Sequence, residues 1–286
     1  MLTSVKYIMV RNMRKYLFLS VLAFAVSMTA SAQNADIEVS YVAHSPNFKN
    51  GKVDVTNRYV LLANASQSKF YSPVTEYIDS LNSTPEGVAK WKEMTRAAVM
   101  GGDFDKIPRK DGSYYVVKSL AGNSLRYYDS AGVDNYYYDE TPDEWSWEIS
   151  DSTKNILGYE CVKASVVYHG RKWEAWFSPE IPLHNGPWKL GGLPGMILEA
   201  SADGGKYSFV ATGVQQTAKP IGAVYLADRY EKTDRRAFLK AKREFLDNPM
   251  GKINARFGGD IKVISNSDGP MFASSAVVDL IETDYK

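Results

Sequence analysis

Apolar and polar residues alternate along most of the chain, and this period-two pattern predicts a protein built mainly from β-strands. Residues 37–41 alternate strictly and predict a first strand, and residues 57–72 predict a second strand with its continuation. Between residues 113 and 180, short β-rich stretches are separated by Gly, Asn, Ser and Asp. Such spacing indicates a run of antiparallel strands joined by tight turns.

One hairpin is predicted in detail. His169 and Gly170 lie between two β-rich stretches, so we expect a two-residue turn in which Gly170 takes a positive φ. In the second arm, Trp173 and Phe177 lie on one face of the strand, whereas Trp176 lies on the other.

Two helices are predicted beside these strands. Thr84 is a suitable N-cap for the first helix, which the glycine pair at 101–102 ends. The second covers residues 233–247 and ends before Pro249. Its inner face is apolar except for Lys242.

The order of these elements predicts the fold class. Strands that follow one another through short turns favour an antiparallel meander over a parallel sheet with crossover helices. We predict a mainly β fold with a minor α component, in which the meander forms a curved sheet or half-barrel packed by one or two helices. A single β-rich domain, residues 33–257, precedes an irregular C-terminal tail, residues 258–286.

The N-terminus has the order of a secretory signal peptide. The basic residues Arg11, Arg14 and Lys15 precede an apolar run over residues 16–26, and small residues follow up to Ala32. We therefore expect cleavage near Ala32 and a periplasmic or secreted product. No cysteine lies near this position to carry a lipid, and no later stretch reaches the 18 apolar residues of a transmembrane anchor.

Composition agrees with an exported globular protein. The 286 residues are 44% apolar and 23% charged, and the 19 tyrosines favour strands. Loss of residues 1–32 removes four basic residues and no acidic one, which leaves 30 basic against 33 acidic residues. We expect no nucleic-acid partner, because phosphate contacts need a positive stripe that this sequence lacks.

A block of ordered motifs occupies residues 158–198. Its motif residues are Gly158, Tyr159, Cys161, Gly170, Arg171, Trp173, Gly186, Pro187, Gly192, Leu193, Pro194 and Gly195. Together with residues 68–71, the block resembles the GLPGLI family of exported proteins, which is common in the Bacteroidetes. The family is named after the hexapeptide found here at residues 192–197, with Met196 in place of Leu. The resemblance implies an extracytoplasmic bacterial protein of predominantly β fold, and it implies no reaction.

The hexapeptide also has a direct physical interpretation. Residues 193–196 suit a type II turn, because Pro194 fixes φ and Gly195 accepts a positive φ. Gly191 and Gly192 allow a neighbouring group to approach the backbone closely. The loop is therefore either a rigid entry into the strand that begins at Met196 or a ligand-contacting loop, and the two roles are compatible.

The sequence contains no recognisable catalytic or metal motif. His44, His169 and His184 lie in separate segments without the spacing of a zinc site, so we predict no metal. Cys161 is the only cysteine, and we expect a buried, inert thiol. A cysteine–histidine dyad would require distant residues to meet in space.

Acidic pairs and glycines do not change this picture. The pairs at 139–140 and 143–144 lie in a tyrosine-rich acidic stretch and indicate a solvated loop, although a glycosidase with two converging carboxylates stays open. No glycine-rich phosphate loop follows a strand, so we predict no nucleotide or other cofactor.

The density of aromatic residues suggests a function. We predict ligand-binding roles for Trp176, Trp188, Leu193, Pro194 and Gly195, because aromatic side chains on both faces of a sheet suit an apolar ligand. The leading hypothesis is a non-catalytic exported binding or carrier protein for an apolar ligand, lipid, peptide or outer-envelope protein. The alternatives are an envelope hydrolase with a site assembled from distant residues, and a purely structural interaction module. Convergence of carboxylates, His or Cys in a cleft would favour the hydrolase.

Overall fold

A computed structural model describes residues 34–46, 55–142, 145–259 and 279–285. The predicted signal peptide lies outside these ranges. None of the helices described combines the length and the apolar character needed to span a bilayer.

Twelve strands are present in the described part of the chain. They are β1 (Ile37–Ser45), β2 (Val55–Ala63), β3 (Gln67–Tyr71), β4 (Tyr115–Ser119), β5 (Ser124–Ala131), β6 (Asp134–Glu140), β7 (Glu148–Ile156), β8 (Tyr159–Tyr168), β9 (Arg171–Ser178), β10 (Met196–Ala202), β11 (Tyr207–Gln216) and β12 (Glu231–Lys232). Four α-helices accompany them: α1 (Pro73–Leu81), α2 (Pro85–Met100), α3 (Arg235–Asp247) and α4 (Pro249–Phe257).

All twelve strands form one sheet, in the order β12-β6-β5-β4-β3-β2-β1-β11-β10-β9-β8-β7. It consists of two antiparallel meanders, β1–β6 and β7–β11, that meet where β1 pairs with β11. Only β12, among the described strands, runs parallel to its neighbour, β6. The predicted mainly β, antiparallel architecture is therefore confirmed, and the sheet is mixed and open, since its edge strands β12 and β7 are not paired with each other.

The predicted hairpin between β8 and β9 is confirmed. His169 and Gly170 have φ values of 50° and 80°, and the positive pair matches the right-handed twist of the flanking strands. Trp173 and Phe177 are buried, whereas Trp176 is half-buried on the opposite face of β9.

Stacked aromatic rings cross one face of the first meander. Phe70, Tyr59, Tyr114, Tyr127 and Tyr138 follow one another with ring-centroid distances of 4.9, 4.9, 5.6 and 5.2 Å. We call this row the aromatic ladder. It contains four of the 19 tyrosines, and cross-strand aromatic pairs of this kind stabilise a sheet beyond their buried area.

Helix α3 covers part of the aromatic ladder. The Phe238 ring lies 5.6 Å from that of Tyr138 and 6.0 Å from that of Tyr127. Lys242, the polar interruption in the predicted inner face, forms an ion pair with the fully buried carboxylate of Asp129. The interruption is therefore a partly buried charge pair within the helix–sheet contact.

Helix α1 packs on the other face of the sheet and has no counterpart among the predicted helices. The buried carboxylate of Asp79 accepts a hydrogen bond of 2.7 Å from Tyr115 Oη. Lys69, also buried, donates to Glu76 at 2.8 Å. Helix α2 begins and ends as predicted, with the Thr84 side chain accepting from the Gly87 N–H, but Ala98 is its only buried residue.

Candidate functional site

The motif block forms β8, β9, the start of β10 and the long loop between β9 and β10. Gly158 has a φ of 92° in the exposed β7–β8 turn, and Tyr159 is half-buried behind it. Cys161 is a buried free thiol, and burial raises its pKa to about 11. These features agree with the inert thiol expected from the sequence.

The five residues predicted to bind a ligand share no common exposed surface. Trp188, Leu193 and Gly195 are buried, Pro194 is exposed, and Trp176 contacts the Lys154 ammonium group on the opposite face of β9 from the buried core. None of the five lines the main cleft described below. Their assignment as ligand contacts stays a prediction, without a shared cavity in the described residues.

The turn in the hexapeptide differs from the predicted type II turn. The Gly195 N–H donates to the Leu193 carbonyl at 2.8 Å, which closes a three-residue turn around Pro194. Met196 N–H instead donates to the Ile181 carbonyl. A Cβ atom on Gly195 would lie 2.2 Å from the Ser178 carbonyl oxygen, so close backbone packing requires glycine here.

A buried lysine organises the loop that precedes the hexapeptide. Lys118 projects from β4 and donates to Asn185 Oδ1 at 3.0 Å, the Gly186 carbonyl at 3.0 Å and the Leu190 carbonyl at 2.6 Å. Burial lowers the pKa of Lys118 to about 7. Its three acceptors match the three N–H groups of an ammonium, so the lysine pins three points of the loop to the sheet.

The main cleft of the described residues lies between this loop and the β4–β5 turn and has a volume of about 460 Å³. Polar side chains line it beside apolar ones. The lining includes Lys118, Ser119, Leu120, Asn123, Ser124, Pro142, Trp145, Leu183, His184, Lys189 and Gly192.

The Trp145 indole forms a fixed wall of this cleft. It stacks on Trp147 at a ring-centroid distance of 5.7 Å and lies 4.5 Å from the Tyr168 ring. Trp147 is held in turn, because its Nε1–H donates to the Gly191 carbonyl at 2.9 Å. A Cβ atom on Gly192 would lie 2.1 Å from Trp145 Cδ1, so the glycine makes room for the indole.

Behind the cleft, Lys189 joins two carboxylates in the protein interior. Its buried Nζ lies 2.6 Å from Glu140 Oε2 and 2.8 Å from Glu282 Oε1. His169 Nε2 lies 2.7 Å from Glu140 Oε1. Because Lys189 also lines the cleft, the ion pairs begin directly behind its wall.

Two further charged groups extend these ion pairs toward the surface. Arg235 of α3 lies 2.5 Å from Glu282 and 2.8 Å from Asp284, and His169 Nδ1 lies 3.3 Å from Asp284. We refer to Glu140, His169, Lys189, Arg235, Glu282 and Asp284 as the ion network. In it, each carboxylate faces at least two basic side chains.

The basic groups stabilise the ionised carboxylates. Burial acts to raise the pKa of Glu140, but the hydrogen bond from His169 and the charge of Lys189 hold this pKa at about 2. Burial likewise opposes ionisation of Asp284, whereas Arg235 holds its pKa at about 2. Both carboxylates are therefore ionised at neutral pH.

His169, Glu282 and Asp284 could together supply ligands to a metal ion, since one donor atom from each lies within 4.8 Å of the others. Arg235 and Lys189 already pair with these carboxylates. A divalent cation would have to displace them. The network therefore works as a set of ion pairs.

Convergence of His169 with carboxylates was not predicted from the sequence. The sequence pattern predicts a solvated loop at Glu140, but its side chain is only 14% exposed. Glu282 lies in the predicted irregular tail, where its side chain is 2% exposed. The available signal was the alternation of Tyr136, Tyr138 and Glu140 along β6, which places Glu140 on the inner face.

Comparison with known proteins gives one family match. Residues 106–237, less than half of the chain, match the family described as N-glycanase peptide, N-terminal domain. The matched range contains most of the cleft and Glu140, His169, Lys189 and Arg235 of the ion network. No curated protein matches the chain.

Three solved structures show a distant likeness to this chain. Two structures of PNGF-II, in different space groups, each match with 13% identity and a TM-score of 0.47, covering 72% of this chain and 32% of theirs. The structure of MucB in complex with MucA(peri) matches with 10% identity and a TM-score of 0.31, covering 65% of this chain and 53% of that one. The chain thus spans about a third of the length of PNGF-II.

Proposed function

We propose that the protein is an exported, non-catalytic binding protein of the GLPGLI type, and that its main cleft binds a saccharide-bearing ligand. The observation that carries this proposal is the mixed lining of the cleft beside the fixed Trp145 indole. A sugar ring presents an apolar C–H face and hydroxyl groups on its edge. An indole wall with nearby Ser, Asn and His side chains complements both surfaces.

Two other observations support this assignment. The family match carries the name of an N-glycanase domain, and its residue range includes Lys118, Trp145 and Lys189 at the cleft. The N-terminal pattern up to Ala32 is that of a signal peptide, and exported proteins meet glycans outside the cytoplasm.

Trp145→Ala tests the saccharide site. We expect titration with an asparagine-linked oligomannose oligosaccharide to change the tryptophan fluorescence of the wild-type protein, and the alanine variant to bind at least tenfold more weakly. Trp176→Ala is the matched control, because Trp176 lies on the face of β9 opposite the buried core and does not line the cleft. This variant should retain wild-type affinity. Loss of binding in the Trp176 variant alone would instead support the ligand site predicted from the sequence.

A second candidate function, hydrolysis, is favoured by the convergence of Glu140, Glu282 and His169. The ion pairs of Glu140 and Glu282 argue against hydrolysis, because each carboxylate is already bound to basic side chains and is largely buried. Incubation with a glycopeptide carrying the same oligosaccharide distinguishes the two functions. Release of the glycan by the wild-type protein, detected by mass spectrometry and abolished in Glu282→Gln, would replace the binding function with catalysis.

A further inference from the structure

The C-terminal segment, residues 279–285, contains no helix or strand but packs against a surface that includes His169, Arg171, Lys189 and Arg235, which we call the groove. Leu280, Glu282 and Tyr285 are buried, and the residues between them are more accessible. Over residues 279–283 this alternation is that of an extended peptide with one face against a surface, and a turn at residues 284–285 ends it.

The groove binds the main chain of this segment. Arg171 donates from Nε to the Ile281 carbonyl at 2.9 Å and from Nη2 to the Leu280 carbonyl at 2.6 Å. The Thr283 N–H donates to the His169 carbonyl at 3.0 Å. Main-chain contacts of this kind hold an extended peptide in register without depending on its side chains.

The groove also complements the charges of the segment. Asp279 pairs with Arg171 at 2.7 Å, and Glu282 pairs with Lys189 at 2.8 Å. Arg235 binds Asp284 with both Nη1 and Nη2 at 2.8 Å. Three acidic side chains of one short segment therefore each meet a basic side chain of the domain.

Residues of the motif block build much of this groove. Arg171 and Gly170 belong to it, and Lys189 follows the Gly186-Pro187 motif. A Cβ atom on Gly170 would lie 2.2 Å from Thr283 Oγ1, so glycine at the hairpin tip admits the segment. The motif residues thus serve the docking of the C-terminal segment as well as the hairpin.

We propose that this groove is a peptide-binding site that also accepts residues 279–285 of a second copy of the chain. The segment of a second copy has the same sequence and would make the same contacts with the groove. Nineteen residues, 260–278, connect the segment to the described end of the domain at Gly259. An extended chain of that length reaches roughly 60 Å, which is enough to enter the groove of a neighbouring molecule. Exchange of an identical element between copies requires no new contact. This inference does not depend on the saccharide cleft.

Variants that each add one cysteine to the buried Cys161 test the exchange. His169 Nδ1 and Asp284 Oδ2 are 3.3 Å apart, and the Thr283 N–H donates to the His169 carbonyl at 3.0 Å, so the two positions lie on adjacent backbone segments and suit paired cysteines. His169→Cys and Asp284→Cys chains are made separately, mixed in equal amounts at high concentration and oxidised. We expect a disulfide-linked heterodimer at least fivefold above that formed when Asp228→Cys replaces Asp284→Cys.

The double variant His169→Cys/Asp284→Cys verifies the geometry within one chain and should form an intramolecular disulfide at low concentration. If it does so, while the mixed single variants give no more heterodimer than the Asp228→Cys control, the exchange is wrong. If the double variant stays reduced although circular dichroism shows it to be folded, the docking of the segment is wrong and the proposal is overturned with it.

Discussion

Among the residues that the structure describes, three lysine side chains lie in the interior, and each has a different set of partners. Lys69 pairs with Glu76, Lys189 with two carboxylates, and Lys118 only with uncharged oxygen atoms. Burial lowers the pKa of Lys69 as it does that of Lys118, although the charge of Glu76 opposes the effect. Buried ammonium groups are costly unless fully hydrogen-bonded, so these lysines are fixed points of the structure.

Replacement of Lys118 tests its role in organising the loop. Lys118→Met keeps the length of the side chain but leaves the carbonyls of Gly186 and Leu190 without the lysine donor, and Asn185 Oδ1 keeps only the Gly186 N–H. We expect the free energy of unfolding to fall by about 2–4 kcal/mol. Urea unfolding measures this change, with Lys172→Met on the exposed face of β9 as the control. Equal stability of the two variants would show that the loop holds without the lysine.

Single residues also show where sequence patterns are informative. The two-residue turn at 169–170 was predicted because its conformation is fixed by local chemistry, and Gly170 has the expected positive φ. The partners of Lys189 could not be predicted, because Glu140 and Glu282 are separated from it by 49 and 93 positions along the chain. A charge pair of this kind exists only after the strands have assembled.

At the scale of elements, helix α1 was missed although its signals are present. Ser72 accepts a hydrogen bond from the Thr75 N–H as an N-cap, and Pro73 occupies the first turn. Helix α4 was hidden in the same way, since Asn248 and Pro249 end one helix and begin the next. Short helices have too few turns for an apolar period to emerge, so their caps are the better guide.

The β9–β10 loop offers a prediction at this scale. Gly192→Ala places a Cβ atom against the Trp145 ring and imposes a residue with Cβ on a φ of 81°. We expect a loss of about 2–3 kcal/mol in the free energy of unfolding, a changed tryptophan emission spectrum and weaker saccharide binding.

Gly158→Ala is the matched control for this variant. Gly158 also has a positive φ, of 92°, but a Cβ atom at this position would have no neighbouring atom within 4 Å. The variant should lose only about 1 kcal/mol, which is the cost of the backbone conformation, and retain saccharide binding. Equal effects of the two substitutions would mean that Gly192 matters for its backbone conformation alone.

For the molecule as a whole, the ion network connects the sheet, α3 and the C-terminal segment, so its ionisation should govern stability in acid. The pKa of Glu140 is about 2 in the folded protein, against an ordinary value of 4.5. Between these values the unfolded chain binds a proton that the folded protein does not. The free energy of unfolding therefore falls as the pH decreases from 4.5 to 2.

Glu140→Gln tests this dependence. We expect a loss on the order of 3 kcal/mol for the wild-type protein between pH 5 and pH 2 from this residue, and a shallower dependence in the variant. Urea unfolding at several pH values measures both slopes, with Glu148→Gln on the exposed edge strand as the control. Parallel slopes for Glu140→Gln and wild-type protein would contradict the role of Glu140.

The sheet as a whole was largely predictable, because alternation along each strand reports which face is buried. The position of β1 in the sheet was not predictable, because its pairing with β11 depends on how the two meanders meet and not on any local pattern. The docked C-terminal segment was unpredictable for a similar reason. From the sequence alone its acidic residues indicate solvated charges, and only the folded structure brings them next to Arg171, Lys189 and Arg235.

The pairing of β1 with β11 has a consequence for how fast the protein folds. Ile37 lies opposite Gln216, so the centre of the sheet joins residues separated by almost 180 positions. Contacts of such long range require a large loop to close before they contribute, and they slow folding. Strand β1 of the first meander has only β2 as a neighbour until β11 has formed and paired with it. A chain that folds this late can pass unfolded through a translocation channel for longer, which agrees with the export that we propose.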